Sequence, residues 1–435
     1  MAGTDGRTAT ATTAGAPPQA PRALWRQRNF AALWSAHTVS QFGTQLSLFV
    51  LPVLALTTVG ATPAQLGLVS AAETLPFLLV GLPAGALLDQ WDRRRVMVLA
   101  DAGRAVALGA VPLGYALDLL SVPLLCAVGF VTGLFTVFFD IADQAFLPGV
   151  VGRGEVPAAN SRLEFSRSAA ELAGPGLSGL LLQWVTAPLV LLADAASYLV
   201  SALLLGAVRT PAPPAGPAPA ARERMRTRIA EGLRFVLRHR ALRSLTVASA
   251  VANLAGLGGA LSALLPAFAL GDLGLSPGRL GLALTVGNVG ALLGALFTAR
   301  LVRVLGLGRL LLAVRCLPGL GVLLLATARP GTAAPTVAVA AGVIATGITA
   351  YNIAQVSLRQ AVTPAAMQAR MNASVRFVVW GTLPLGAAGG GLLGSVVGVR
   401  PALWAVAGVA LLSVLPLLLT REVRALDGFP DGPAE

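Results

Sequence analysis

Gly85-Ala-Leu-Leu-Asp89-Gln90-Trp91-Asp92-Arg93-Arg94-Arg95 is a short charged turn between two long apolar runs, 63–88 before it and 96–118 after it. Each run has the length and apolarity to cross a bilayer as one helix, which takes about 20 residues at a rise of about 1.5 Å each. Outward from this turn the same alternation recurs from Asn29 to Leu419. Pro, Gly and Arg clusters divide the chain into twelve expected spans: 29–57, 63–88, 96–118, 122–147, 158–183, 187–208, 243–270, 277–300, 308–328, 334–358, 366–396 and 401–419.

Composition agrees with lipid as the main solvent. Of 435 residues, 55% are hydrophobic and 12% charged, and the mean hydropathy is +0.76, outside the balance of a soluble domain. The 49 glycines and 29 prolines would weaken soluble helices but are tolerated in membrane helices, whose neighbours satisfy the freed backbone groups. No alternation of period two appears, which excludes a barrel.

The net charge is +13 and all 32 basic residues are arginine, scattered between apolar runs rather than gathered on one soluble face, so nucleic-acid binding is excluded. Cys126 and Cys316 fall inside expected spans and read as small buried hydrophobes. No metal-ligand cluster, nucleophile motif or phosphate-binding G-x-x-x-x-G-K-[ST] loop occurs, so neither an enzyme nor an ATP-driven pump is expected, and no cofactor.

The arginine distribution orients the chain. Arg93 to Arg95, Arg153, the Arg222 to Arg243 cluster, Arg300, Arg303, Arg309, Arg421 and Arg424 fall on one side, and only Arg279, Arg329 and Arg400 on the other. The positive-inside rule then puts both termini in the cytoplasm of a plasma-membrane protein. Residues 1–28 read as a disordered tail ending in a basic anchor, 29–208 as one six-helix bundle, 209–242 as a linker, 243–420 as a second bundle and 421–435 as a tail. In the linker, Met225, Ile229, Leu233, Val236 and Leu237 recur at helical spacing among arginines. Two readings stay open for it: an amphipathic helix on the anionic cytoplasmic leaflet, or a helix packed on the protein itself.

The bundles echo each other. Phe139-Asp140-Ile141-Ala142 is answered 212 residues later by Tyr351-Asn352-Ile353-Ala354, and Arg167 with Gly174-Pro175 by Arg376 with Leu383-Pro384 at an offset of 209. Duplication with a binding site between the halves is the simplest reading.

The turn at Gly85 resembles the major facilitator signature G-x-L-x-D-R-x-G-R-[RK]: Gly85, Leu87, Asp89, Arg93 and Arg94 match, while Gln90 replaces an Arg and Asp92 a Gly. Leu172-Ala-Gly174-Pro175-Gly-Leu-Ser178-Gly179 is similar to the G-P-x-x-G-G motif of the antiporter branch, with Ser178 in place of one Gly. Leu192-Ala-Asp194-Ala-Ala-Ser197-Tyr198 and Glu231-Gly-Leu-Arg234-Phe235-Val-Leu-Arg238-His239 look like the enterobactin-exporter and macrolide-efflux group of actinobacterial type. The resemblance implies an all-α membrane protein with the major facilitator fold, twelve transmembrane helices in two pseudo-symmetric six-helix bundles. It further implies proton-coupled efflux of a drug-like molecule, macrolide or siderophore by a monomer. An uncoupled facilitator or importer, and a membrane sensor or scaffold, are the alternatives.

A charge at the bilayer centre costs roughly 2.5 to 3.5 kcal/mol on insertion scales, so each one needs a partner, a wet cavity or a task. Glu73 has no charged neighbour in sequence and reads either as a proton-carrying carboxylate or as a carboxyl kept neutral by hydrogen bonds; Asp140 and Glu171 are further proton-coupling candidates. Glu164 and Arg167 are expected to form a structural or gating ion pair, within a network holding Asp143. Asp101 and Arg104 have the spacing of a local pair and read as part of a latch with Gly85, Asp89, Arg93 and Arg94. Gly174, Pro175 and Gly179 are expected to permit a bend and close contact between halves. His37 reads as a structural group, and Asp194, Arg315, Arg359 and Arg376 as interfacial or paired. The resemblance makes spans one, four, seven and ten cavity-lining, which nominates Phe42, Gln45, Phe139, Asn253, Asn352 and Gln355 as substrate contacts.

Overall fold

The computed structural model describes residues 24, 27–81, 91–152, 154–208, 225–364 and 367–429, with the backbone only for 225–230 and 369. Gly85, Asp89, the first part of the N-terminal tail and the Pro/Ala stretch of the linker lie outside the described residues, as do the side chains of Met225 and Ile229.

Among the described residues all regular structure is helical. The first six helices are α1 (Arg28–Thr57), α2 (Pro63–Leu79), α3 (Arg93–Ala116), α4 (Val122–Val151), α5 (Val156–Leu181) and α6 (Ala187–Ala207). The linker helix α7 (Met225–Arg238) follows, then α8 (Arg240–Ala255), α9 (Ala260–Pro266) continued by a π-helical turn at Ala267–Asp272, α10 (Pro277–Leu305), α11 (Leu307–Ala326) and α12 (Ala333–Val362). The chain ends with α13 (Gln368–Gly381), α14 (Leu383–Val397), α15 (Val399–Leu412), α16 (Leu415–Leu418) and α17 (Arg421–Arg424).

Within the described residues, each expected span overlaps one helix or a broken pair. Ten helices among the described residues are long and apolar enough to cross a membrane. Outside those ten stand α2, of 17 residues, and α5, which carries Arg162, Glu164, Arg167 and Glu171.

Local chemistry sets the helix ends. Thr62 caps α2 in a reciprocal capping box with Gln65, ahead of Pro63. Asp92 accepts from the backbone N–H of Arg94 and Arg95 at the start of α3. Gly306 (φ +80°) and Gly398 (φ +90°) turn the chain directly from α10 into α11 and from α14 into α15, through a region that disfavours any Cβ. Large apolar side chains such as Val106 (75% exposed) and Leu203 (76%) point outward, as lipid-facing residues do.

α1 packs on α5 and α6, α3 on α4 and α6, and α2 on α4; in the second half α10 and α11 pack on α12, and α15 on α8 and α11. Two seams join the halves. Across the α2–α14 seam Gly67 and Gly391 bring backbone against backbone, and the Ala64 N–H donates to Ser395 Oγ at 2.8 Å. Across the α5–α10 seam the Gly176 N–H donates to Thr285 Oγ1 and Asn288 Nδ2 to the Glu171 carbonyl, both at 2.8 Å, while Gly179 sits against the backbone of Pro277 and Gly278.

The two ends differ. At the end carrying the termini the halves have separate cores: Phe30, Met97, Phe146 and Leu205 in the first, Leu245, Leu311, Tyr351 and Leu417 in the second. At the far end Ala263 and Ala267 of the second half join Leu46, Val50 and Leu191 of the first in one core. Among the described residues, the halves thus share a buried core at the far end and keep separate cores near the termini.

The linker helix packs on the protein: Gly232 sits against the Arg370 carbonyl, Glu231 pairs with Arg370, and Val236 is buried with Met371 and Val375 of α13. Leu237 is the exposed apolar residue on its described part.

Candidate functional site

Two helices break beside the same cavity. α8 stops at Gly256 and α9 starts after Gly259; α13 stops at Gly381 and α14 starts after Thr382. Side chains tie the two breaks together: Asn253 Nδ2 donates to the Val379 carbonyl at 3.0 Å, and Thr382 Oγ1 to the Ala250 carbonyl at 3.1 Å. Non-helical backbone at membrane depth is tolerated where it lines a cavity or is buried in protein. The cavity here, about 490 Å³, is lined by Asn253, Gly256, Asn352, Gln355, Arg359 and Trp380 among others.

Three arginines reach this cavity: Arg315 from α11, Arg359 from α12 and Arg376 from α13. Arg315 is 5% exposed, donates from Nε to Ser413 Oγ at 2.9 Å and lies over the Tyr351 ring at 4.5 Å. The buried Nε of Arg359 has no hydrogen-bond partner among the described residues. Arg376 lies over the Trp380 ring at 4.8 Å, and that ring meets Phe77 of α2 edge-on across the seam at 5.0 Å. The expectation of interfacial or paired groups is corrected for Arg315 and Arg359, which line a cavity to which α11 and α12 contribute no carboxylate, while Arg376 lies between the halves. A smaller space, about 160 Å³, continues toward the first half and holds Asp140 opposite Arg376.

The first half is organised differently. Arg104 pairs with Asp101 inside the bundle, and its guanidinium lies over the rings of Phe139 and Tyr198, each at 4.3 Å. Tyr198 Oη and Thr44 Oγ1 are hydrogen-bonded at 2.8 Å; Asp194 accepts from Ser47 Oγ and, at 3.0 Å, from Ser197 Oγ. His37 Nδ1 stands 3.9 Å from Asp143 Oδ2, beyond a hydrogen bond. This polar core ties α1, α3, α4 and α6 together.

Several expectations shift accordingly. Phe139, 3% exposed, covers Arg104 and lines neither cavity, and neither do Phe42 and Gln45, the latter packed beneath Gly174. Arg167 pairs with Glu171, Nε to Oε1 2.9 Å, rather than with Glu164; both acids lie on its stripe of the helix, and the rotation of the Arg167 side chain selects Glu171. Asp101 and Arg104 sit in the bundle interior, whereas Arg93 and Arg94 at the start of α3 donate to the carbonyls of Ala145 (2.8 Å) and Val208 (2.7 Å) at the ends of α4 and α6. Gly174, Pro175 and Gly179 lie where α5 meets α1 and α10. Glu73 sits where Gly129 and Gly133 let α4 approach the α2 backbone, and among the described residues nothing hydrogen-bonds to its carboxyl.

The family profile described as transmembrane secretion effector matches residues 19–431. The chain belongs to the transmembrane secretion effector family of major facilitator transporters. This secretion-effector transporter is 30% identical over 234 residues to the "Multidrug efflux pump Tap" of Mycolicibacterium fortuitum, a match covering 53% of this chain and 56% of that one. The chain thus spans about half the length of that curated relative. It shares its fold with a bacterial homologue of the iron transporter ferroportin: the inward-facing form superposes with a TM-score of 0.72 at 17% identity, over 92% of this chain and 99% of that one. The outward-facing form of the ferroportin homologue superposes less well, with a TM-score of 0.57 at 18% identity over 90% and 98%. The secretion-effector transporter is therefore a multi-pass membrane transporter and not an enzyme.

Proposed function

We propose that this protein exports a small amphiphilic molecule across the cytoplasmic membrane by alternating access, in exchange for protons. One observation carries the reading. The buried cores are separate near the termini and shared at the far end, and a cavity of about 490 Å³ lies beside the helix breaks of the second half, which we read as a state open near the termini. Arginine bias between the spans supports a cytoplasmic assignment for the open end and both termini. Cargo then enters the open cavity from the cytoplasm or inner leaflet, and twelve helices in two pseudo-symmetric halves rock about the α2–α14 and α5–α10 seams, whose small residues allow sliding.

In this scheme Glu73 and Asp140 take up and release the proton, with Glu171 held by Arg167 in this state. Arg93 and Arg94, with Asp89, latch one access state. Asn253, Asn352 and Gln355 contact cargo, and their amides beside Trp380 suit an amphiphile. The likeness to a pump named for multidrug efflux supports the outward direction. Energetically, one charge moving through about 100 mV supplies roughly 2.3 kcal/mol, about a fifty-fold gradient of a neutral cargo.

Everted vesicles bearing the protein and an interior-acid pH gradient test this, with a pH-sensitive dye reporting proton release on addition of macrolides, catecholate siderophores or lipophilic cations. Dequenching by one class supports exchange with protons. Uptake of cargo without any proton movement sinks the coupling and leaves a facilitator.

A further inference from the structure

The two halves carry the same arginine-on-aromatic arrangement with opposite charge balance. Arg104 of α3 lies over Phe139 of α4 at 4.3 Å, and Arg315 of α11 lies over Tyr351 of α12 at 4.5 Å. Phe139 and Tyr351 are the positions already matched by the 212-residue echo. In the first half Arg104 has its counter-ion three residues earlier, Asp101; three residues before Arg315 stands Leu312. Asp140 is answered by Asn352 and Asp143 by Gln355, and Arg359 falls where the first half has Leu147. The second half keeps the cation, replaces each carboxylate with a neutral group and adds another cation.

Nothing nearby restores the balance. Between Arg243 and Thr420 the only acidic residue in the sequence is Asp272, which is exposed where the π-helical turn ends, away from the cavity. The neighbours of Arg315 are Ser413, Tyr351 and Cys316, and the polar neighbour of Arg359 is again Tyr351. Arg376 alone faces a carboxylate, Asp140 of α4, across the smaller space. Buried cations persist when paired, hydrated or engaged by a ligand, and arginine's planar fork matches carboxylate and phosphate oxygens.

We propose that the second-half cavity is an anion site, in which Arg315, Arg359 and Arg376 hold a carboxylate or similar anionic group of the cargo where the first half supplies its own carboxylates. The amides of Asn253, Asn352 and Gln355 and the Trp380 ring then take the remainder of an amphiphilic anion. This rests on the efflux reading for what the ligand is, a cargo, but not for whether it binds.

The test is equilibrium binding to the full chain in nanodiscs of zwitterionic phosphatidylcholine, with empty discs as background. Three fluorescent probes share one ring system: dansylglycine (anion), dansylamide (neutral) and dansylcadaverine (cation). The expected result is dansylglycine bound about tenfold or more tighter than dansylcadaverine, the size of one charge-assisted hydrogen bond. Arg359→Gln is expected to remove that preference by weakening dansylglycine more than dansylamide, and Arg359→Lys to restore part of it. Arg376→Gln, at an exposed side chain, makes the same comparison if the Arg359 variant does not fold. Equal or tighter binding of the cation, no saturable binding of dansylglycine, or an unchanged preference in both glutamine variants overturns the proposal. Loss of dansylglycine binding on changing to anionic phosphatidylglycerol discs identifies a lipid headgroup as the occupant and overturns the cargo form. No pH gradient is involved, so failure here leaves the vesicle result standing, and the reverse.

Discussion

Asp140 of α4 and Arg376 of α13 face each other across the gap between the halves, lining one small cavity without forming a direct ion pair. They are 236 residues apart in sequence and belong to different bundles, so the charge of each is felt only while the halves hold this arrangement.

A double-mutant cycle measures that dependence. Asp140→Asn and Arg376→Gln are expected to be non-additive in thermal unfolding, with a coupling of roughly 0.5 kcal/mol or more. Because Arg376 is exposed, solvent screening keeps the value near the low end for ion pairs. Strict additivity would show that the two groups do not interact in the resting state.

Glu73 has no hydrogen-bonding partner among the described residues, so its amide isostere should be tolerated structurally. Glu73→Gln is expected to change stability by less than about 1 kcal/mol yet reduce cargo-driven proton release roughly tenfold or more. Calorimetry and the vesicle assay separate these effects. Full proton release in the variant transfers the coupling role to another carboxylate.

The α2–α14 seam depends on missing side chains. At Gly67 an added Cβ would meet the Ala387 carbonyl and, at 3.0 Å, the Gly391 Cα, which are backbone atoms that cannot swing aside. Gly67→Val should therefore cost about 1 to 3 kcal/mol or part the halves, read as lost folded yield by size-exclusion chromatography. Gly389→Ala, with open space around it, is the matched control and should be neutral or better. Equal behaviour of the two would remove the seam from the account.

Glu422 in α17 accepts from Arg240 Nη1 at 2.8 Å, and this hydrogen bond holds its carboxyl below the ordinary glutamate value. A lowered carboxylate stabilises the fold above its unfolded-state value and loses that contribution as pH falls through the folded-state value. Glu422→Gln should then differ slightly from wild type at neutral pH and converge with it in acid. The difference should also shrink in high salt, because the pair is exposed. Melting curves across pH and salt check both; a difference persisting in acid would assign the effect to packing.

Much of this was legible from residue order. The recurring apolar runs depend on short stretches of chain meeting lipid, so among the described residues the helices fall within a few residues of where hydropathy puts them. The echo of Phe139-Asp140 in Tyr351-Asn352 was visible as well, with a small-residue motif at Gly174 whose neighbours were not. The Arg167 pair was misassigned because i,i+3 and i,i+4 partners compete and only side-chain rotation decides between Glu164 and Glu171.

The cavity was the hidden part. In sequence Arg315, Arg359 and Arg376 read as separate interfacial or paired charges, and the scarcity of carboxylates after Arg243 was the signal that could have joined them. Residue order determined the solvent, the span positions and the family resemblance, because each turns on local apolarity and motif. Tertiary structure alone decided which charges meet, where the halves share a core and where the helices break. Those outcomes depend on how each helix is rotated and what packs against it from hundreds of residues away, and hydropathy along a single chain carries no record of either.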